Sequence, residues 1–458
     1  MTSILSDRQT GKQNSRSRRR LATYASCAVG AVILACVLVL LFFPDAYLNG
    51  FVKGQIIKTF KKECPADSLR IARVRCSILR NRIECDSIAV RSRDSAFSCS
   101  MAALSVNGIS WLRLLRHKNK PFDRVTADAR EIALTFPRAQ SEIQCGRLRV
   151  SVPDSEISAE AGELHAVVRD DAFFASRKFR RTRFRIFLPL CKATGADCRE
   201  LLAGQAYRVR SVLIRDPSLD ILVNMDTPYN KDASRPLMPN EALALIKKVT
   251  QVNGVNVVNG RLKYAERYTI GVRPAEVSFD SMQLSASGIT NHGGPRSMAV
   301  IHGQGLFMKT SRMKFHLTVP VSVPENSFGY SGSLDAMDLT RLNSFLEIGE
   351  NLRLKSGFLQ TASFDIMVNQ GRASGTVRAQ YKDLAVDLLD KKTGSEKGVM
   401  NRISSFFINA AKIHGTNMPD KSGSLKIGEV KYEQKRDDTF LQLVWFSLRS
   451  GVGSVVGF

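Results

Sequence analysis

The sequence predicts a mainly β protein that has one N-terminal transmembrane helix and only a few other helices. Residues 21–43 contain no charged side chain. From Leu69 onward, short segments alternate between apolar and polar residues and are separated by turn residues, as expected of antiparallel strands with one apolar face. Helical spacing returns in only a few places, among them 238–249 and 399–413.

The N-terminus predicts an uncleaved membrane anchor. Residues 1–20 form a basic tail, and the 23 residues of 21–43 would make a helix of roughly 35 Å, long enough to cross a bilayer. A cleavable signal peptide is the alternative, but its apolar region is usually shorter. The basic tail should stay in the cytoplasm, which places residues 44–458 on the far side of the membrane.

The next elements follow in order along the chain. Residues 47–62 predict either a membrane-proximal amphipathic helix or an ordinary first helix of the domain. In 313–323, Phe315, Leu317 and Val319 point one way, and Pro320 suggests an edge strand or a bulge. Apolar residues also alternate in the segments that follow, which contain Phe364, Ile366, Val377 and Leu384. The last residues, 440–458, predict an amphipathic or capping segment, with membrane contact as a second interpretation.

The strongly basic composition raises the question of nucleic-acid binding. The net charge is +25, and the stretch 177–190, RKFRRTRFRIFLPL, interleaves basic and aromatic residues. Period-2 spacing places Arg181, Arg183 and Arg185 on one face and Phe184 with Ile186 on the other. The aromatics therefore face away from the arginines, and an exported domain meets little nucleic acid. We expect the arginines to bind lipid or lipopolysaccharide phosphates, or to form a solvated face.

Seven cysteines follow the anchor, and they leave several interpretations open. Cys76 and Cys85 would face each other in a hairpin that turns at Arg80 and Asn81, and Cys191 and Cys198 flank a short loop. Disulfides are possible in an oxidising compartment. Zinc binding is an alternative, but the chain has no CxxC or HxxxH spacing. Simple burial of the thiols is the third interpretation.

No catalytic pattern stands out in the sequence. The six histidines are scattered without metal-ligand spacing, and the chain has no GxSxG, Walker A or HExxH motif. We therefore expect no enzymatic activity, no cofactor and no metal.

Several stretches resemble the AsmA-like family, which is grouped with bridge-like lipid-transfer proteins. They are VLIRDPSLDILVN (212–224), VNGVNVVNGRLKYAER (252–267) with Tyr264 and Glu266, and the block formed by 332–347, 356–368 and 373–392. The resemblance spans most of 44–458 and is most specific from about 250 to 392. It implies an inner-membrane anchor and an elongated antiparallel β-sheet bent into a periplasmic groove whose apolar side shelters acyl chains; a closed β-sandwich is the alternative.

Five regions are expected on this basis. They are the cytoplasmic tail 1–20, the transmembrane helix 21–43, an N-terminal periplasmic β region 44–236, an AsmA-like C-terminal β region 237–395, and a helical or capping segment 396–458.

The expected function is non-enzymatic: the protein passes phospholipid along the groove and assists outer-membrane biogenesis, with outer-membrane assembly proteins as possible partners. The expected groove residues are Phe315, Leu317, Val319, Phe364, Ile366, Val377 and Leu384. The alternative is a periplasmic scaffold that binds envelope proteins or an anionic glycan.

Overall fold

The computed structural model describes residues 44–110, 124–175, 178–202, 204–269, 272–294, 296–321, 326–389 and 413–457. The tail 1–20, the predicted span 21–43 and almost all of the helical pattern at 399–413 lie outside these residues. Within the described ranges, no helix has the length and apolar character needed to cross a bilayer.

The fold is mainly β, as predicted. The strands are β1 (Ser68–Ser77), β2 (Arg82–Arg91), β3 (Ser98–Asn107), β4 (Thr126–Phe136), β5 (Ser141–Ser151), β6 (Glu156–Ala166), β7 (Thr182–Thr194), β8 (Ala206–Arg215), β9 (Ser218–Asn224), β10 (Val249–Arg267), β11 (Ala275–Thr290), β12 (Met298–Phe307), β13 (Ser311–Pro320), β14 (Phe328–Leu334), β15 (Met337–Asp338), β16 (Leu352–Asn369), β17 (Arg372–Leu388) and β18 (Ile427–Glu433). The described helices are α1 (Pro44–Glu63), α2 (Asp170–Phe174), α3 (Cys198–Leu202), α4 (Pro239–Ala244), a 3-10 turn (Leu339–Leu342), α5 (Asn343–Gly349) and α6 (Phe440–Val456).

All 18 strands belong to one long sheet that is antiparallel almost throughout. Strands β1 to β7 pair in sequence order, each with the next. Strands β10 to β14 do the same, and β16, β17 and β18 complete the sheet beside β14. Short hairpins therefore build nearly all of the structure.

One parallel joint connects the two halves. Strands β8 and β9 form a single line that is broken at Asp216 and Pro217, and this line pairs with β7 on one side and in parallel with β10 on the other. The chain returns from β9 to β10 through a crossover that contains α4, since parallel strands cannot be joined by a tight turn. The region boundary expected at 236–237 falls in this crossover.

A crease runs across the first eleven strands. Ser87, Glu131, Ala161, Asp216 and Asn259 all have left-handed backbone conformations, with φ between 50° and 56°. The ladder is interrupted at the same level on successive strands, for example between the pairs Ile71–Ile88 and Arg73–Asp86. A left-handed residue inside a strand bends the backbone and resets which side the next side chain faces. Pro189 and Pro217 lie where the crease interrupts the ladder. Proline is tolerated there because it has no N–H to donate to a neighbouring strand.

Helices close both ends of the sheet. Leu48, Val52 and Ile56 of α1 pack on Ile71 and Val74, so α1 behaves as an ordinary first helix of the domain. At the outer edge of β1, the Cys76 amide donates to Asn49 Oδ1 at 2.6 Å.

At the other end, the amides of Glu429 and Lys431 in β18 donate to the hydroxyls of Ser454 and Ser450 in α6, at 3.1 and 3.2 Å. Both edges thus have backbone groups bonded to helix side chains rather than open to another strand.

Three local predictions are wrong. Pro320 ends β13, which lies between β12 and β14, so it marks neither a sheet edge nor a bulge. The register places Cys76 opposite Ile83 rather than opposite Cys85. Cys191 faces Ile214 across the β7–β8 pair, and no disulfide joins it to Cys198 in α3.

Cys85 and Cys198 are instead buried, and this burial raises the pKa of both thiols. These thiols therefore pack as small apolar residues.

Candidate functional site: the apolar face of the sheet

The strand register aligns apolar residues into one continuous row across the whole sheet. Partners that face each other across neighbouring strands point to the same side. We call this set the long row, and it crosses sixteen sheet positions without a charged or polar side chain. Its members, from β1 to β18, are Val74, Cys85, Leu104, Ala129, Leu148, Ala159, Cys191, Ile214, Val257, Leu284, Gly303, Phe315, Gly332, Phe364, Val377 and Gly428.

A second apolar row lies across the crease from the first. We call it the short row, and it extends from β1 to β12. Its members are Leu69, Val90, Cys99, Leu134, Ile143, Leu164, Ile186, Leu219, Leu262, Phe279 and Phe307. The two rows face the same side, because Leu69, Ile71, Val74 and Cys76 belong to one packed cluster although a strict alternation would separate them. Together they define the apolar face of the sheet.

The neighbouring row on the opposite side has the reverse character. We call it the polar row, and among its sixteen members only Leu213 is apolar. Its members are Arg75, Glu84, Ser105, Asp128, Arg149, Ser158, Lys192, Leu213, Asn256, Ser285, His302, His316, Ser331, Asp365, Thr376 and Glu429. The sheet therefore has one apolar and one polar side along its length.

Helix α6 covers the apolar face over β16 to β18. Three of the expected groove residues, Val319, Ile366 and Val377, are only 6%, 0% and 2% exposed, and they belong to a core cluster with Leu443 and Val455 of α6. These three side chains form protein core, which corrects the expectation that they contact lipid.

The helix approaches closely because Gly451 lies on the sheet. A Cβ at this position would lie 2.5 Å from Val377 Cγ2.

The other expected groove residues are only half-buried. Leu317, Phe364 and Leu384 pack at the margin of the same cluster, and Phe315 lies outside it. Phe315 covers Gly303 on the next strand, where a Cβ would lie 2.2 Å from its ring, and Phe364 covers Gly332 in the same way. At these two points the aromatic ring fills the space that the neighbouring glycine leaves open.

The middle of the apolar face is not covered by the described helices. Those that pack on the apolar face do so at β1, at β11, at β16 to β18 and, through Cys198 of α3, beside Val150 and Ile157 at the ends of β5 and β6. Between these ends, Ile132, Leu148 and Leu188 are half-buried and Ile143 is 42% exposed. A broad apolar surface of this kind normally marks a contact with a ligand, a membrane or a protein.

A buried polar cluster interrupts the apolar face beside α5 and α6. Tyr264 and Tyr268 donate hydrogen bonds to the two carboxylate oxygens of Glu266, at 2.7 and 2.5 Å. Burial and the Glu266 charge raise the pKa of both phenols well above the usual value. Nearby, burial raises the pKa of Glu350 to about 7, against the opposing effect of Arg449.

Arg181, just before β7, and Arg183 in β7 do not form the exposed face that the sequence predicts for phosphate binding or solvation, whereas Arg185 is half-exposed. Arg183 is 3% exposed, and its guanidinium lies 3.2 Å from carboxylate oxygens of both Asp170 and Asp220. Arg181 lies over the Phe173 ring, with 3.9 Å to the ring centroid, and Arg185 pairs with Asp170 at 3.0 Å.

The reason is α2, which packs on this side of the sheet and supplies Asp170 and Phe173. The register agrees with the sequence on which residues share a face. Their exposure differs from the expectation, because Arg183 is buried and Phe184 is 46% exposed.

Within the described residues, the apolar face is the candidate binding surface. The described residues contain no group of three or more His, Cys, Asp or Glu side chains placed to hold a metal ion. The shift by one position in the alternation of apolar residues at the crease was not predicted from the sequence. This shift is visible in Leu69–Cys76 and again in Ile83–Val90, where two residues instead of one separate the second and third apolar positions. The position of α6 over β16 to β18 had no such signal.

No protein-family model and no curated protein sequence matches this chain.

Proposed function

We propose that this protein is a non-enzymatic, AsmA-like envelope protein that shelters phospholipid on its apolar face and passes it along the sheet. The long row is the observation that carries the proposal. Between the stretches covered by α1 and α6, its eleven positions from Leu104 in β3 to Gly332 in β14 would extend on the order of 50 Å at about 4.8 Å per strand, and acyl chains could slide along them without meeting a charge. Movement of this kind needs no cofactor.

The crease supports a groove rather than a flat surface. Left-handed residues such as Ser87, Glu131 and Ala161 recur at one level of the sheet, and a sheet bent along this line would turn the long and short rows towards each other. Phospholipid acyl chains would lie between the two rows, and the head groups would face solvent.

The position of the chain in the envelope completes the proposal. Residues 21–43 anchor the protein in the inner membrane, and the bulk of the chain lies in the periplasm, where it assists outer-membrane biogenesis. Helix α1 connects this anchor directly to β1, where the long row begins. Because α1 covers Val74 and Cys85, lipid leaving the inner membrane would enter the groove just beyond this helix, near β3.

Site-specific photo-crosslinking in cells tests the proposal. A photoreactive amino acid replaces Leu148 in the long row, and a matched variant carries it at the adjacent Arg149 in the polar row. A second pair uses Ile186 and Arg185. After irradiation, we expect mass spectrometry of the purified protein to find phospholipid adducts at Leu148 and Ile186 but not at Arg149 or Arg185.

Two outcomes would contradict the proposal. Equal lipid labelling on both faces would indicate non-specific contact with membrane. Protein or glycan adducts at Leu148, without lipid, would instead support a periplasmic scaffold.

A further inference from the structure

Two histidines form a cross-strand pair on the polar side of the sheet. His302 in β12 lies directly opposite His316 in β13. Their neighbours Gly303 and Phe315 belong to the long row, so the two imidazoles point away from the apolar face. The proposed lipid path does not involve them.

The pair has the spacing of two ligands of one metal ion. The two Nδ1 atoms lie 3.0 Å apart, at hydrogen-bond distance, and the ring centroids are 4.4 Å apart; a metal ion bound to both nitrogens would replace this hydrogen bond. Imidazole nitrogens bind first-row metals at about 2.0–2.1 Å, so a separation of this size corresponds to an N–metal–N angle of roughly 90°. Tetrahedral zinc would need a wider separation, of about 3.4 Å. An angle near 90° matches neighbouring positions in a square-planar or octahedral site.

The surroundings leave room for the other ligands. The histidines lie in an open depression of about 890 Å³, which is also lined by Ser285, Ser331 and Asp365. Asp365 is two strands away from His316, at roughly 10 Å between backbones, too far for direct coordination. Water would therefore fill the remaining positions. Lys314 also lines the depression, and its positive charge would weaken the binding of a cation.

We propose that His302 and His316 form a binding site for a divalent transition-metal ion of square-planar or octahedral preference, Cu(II) or Ni(II). Imidazole ligands favour these ions over Mg²⁺ and Ca²⁺, which prefer oxygen. A bound ion would link β12 to β13, and its water-filled positions would face solvent. The site is independent of lipid binding.

Isothermal titration with Ni(II) tests the site. Ni(II) is chosen because it does not oxidise the protein's thiols. The experiment uses the full chain in detergent micelles, without a polyhistidine tag. We expect one Ni(II) per chain, and at least a tenfold loss of affinity in both His302→Ala and His316→Ala. The matched control is His292→Ala, which removes an exposed histidine outside the depression and should leave the affinity unchanged.

A second measurement separates metal binding from damage to the fold. His302→Asn keeps a polar side chain, so it should melt at the wild-type temperature without metal but lose the Ni(II)-induced rise in melting temperature. Unchanged Ni(II) affinity in the two alanine variants, or an equal loss in His292→Ala, would overturn the proposal. Retention of the Ni(II)-induced rise in His302→Asn would also overturn it.

Discussion

Arg449 Nη1 lies 3.2 Å from a carboxylate oxygen of Glu350, and both side chains are almost completely buried. This ion pair joins α6 to the C-terminal end of α5. Burial raises the pKa of Glu350 to about 7, since the stabilising effect of Arg449 on the carboxylate does not offset the lost hydration and the repulsion by Glu266. The attachment of the last helix therefore depends on pH.

The first prediction concerns this pH dependence. The pKa of Glu350 is about 7 in the folded state and 4.5 as the reference value for the unfolded chain. The folded state thus binds more protons between these values, and the contribution of Glu350 to stability is present below pH 4.5 and is lost as the pH rises through 7. The loss is on the order of 3 kcal/mol. Denaturant unfolding across this range should show a flatter profile for Glu350→Gln.

Glu347→Gln is the matched control, because Glu347 lies on the same helix but pairs with Arg353 at the surface. Its profile should follow the wild type. Parallel profiles for Glu350→Gln and the wild type would contradict the assignment.

The second prediction concerns the contact between Gly451 and the sheet. A Cβ here would lie 2.5 Å from Val377 and 2.7 Å from Val430, so Gly451→Ala must push α6 outward. Alanine favours a helix over glycine by about 1 kcal/mol, yet overpacking costs about 1–3 kcal/mol, and we expect a net loss of stability. Limited proteolysis near 440–456 should accelerate. Val452→Ala on the exposed side of α6 should have little effect, and a more stable Gly451→Ala variant would refute the close contact.

The third prediction separates the buried arginine of β7 from its exposed neighbour. Arg183→Met leaves Asp170 and Asp220 without their shared cation, and both are partly accessible to water, so we expect a loss of about 1–3 kcal/mol in the free energy of unfolding. Arg185→Met removes a half-exposed partner of Asp170 and should cost less than about 1 kcal/mol. Equal losses would indicate that Arg183 is solvated in solution.

The fourth prediction tests the crease. Glu131 has φ of 51°, a conformation that costs a non-glycine residue about 1–2 kcal/mol. Glu131→Gly should therefore be neutral or stabilising by up to about 1 kcal/mol. Ala133→Gly, two residues further along β4 in ordinary strand conformation, should destabilise by about 0.5–1 kcal/mol. Chemical denaturation of the two variants gives the comparison, and a marked loss in Glu131→Gly would argue against a left-handed residue there.

The sequence was sufficient for the β class, the hairpin order and the faces of individual strands. Phe315, Phe364 and Val377 share one face because side-chain alternation is local to each strand. The long row was not predicted in the same way, since the ladder is interrupted between Ile71 and Arg73, opposite the left-handed Ser87, and the alternation shifts by one position there. Ser87 and Glu131 carry no mark of that conformation, which glycine, asparagine or aspartate would have given.

The sequence also did not predict which strand residues are buried by helices. The charge of Arg183 suggests solvent, and its burial depends on α2, a five-residue helix with no strong periodic signal. The loss of Val319, Ile366 and Val377 to the core likewise depends on where α6 lies. Both are tertiary contacts between separate elements, and the alternation within a single strand carries no information about them.

The hydrogen bonds at the two edges of the sheet bear on how long the sheet can become. Asn49 at one end, and Ser450 and Ser454 at the other, bond backbone groups that could otherwise recruit a strand from another molecule. Extension of one copy by another through strand addition, as in amyloid or donor-strand assemblies, would have to displace these hydrogen bonds. The length of the sheet is therefore set by the number of strands in one chain, and each additional hairpin would lengthen it by about 10 Å.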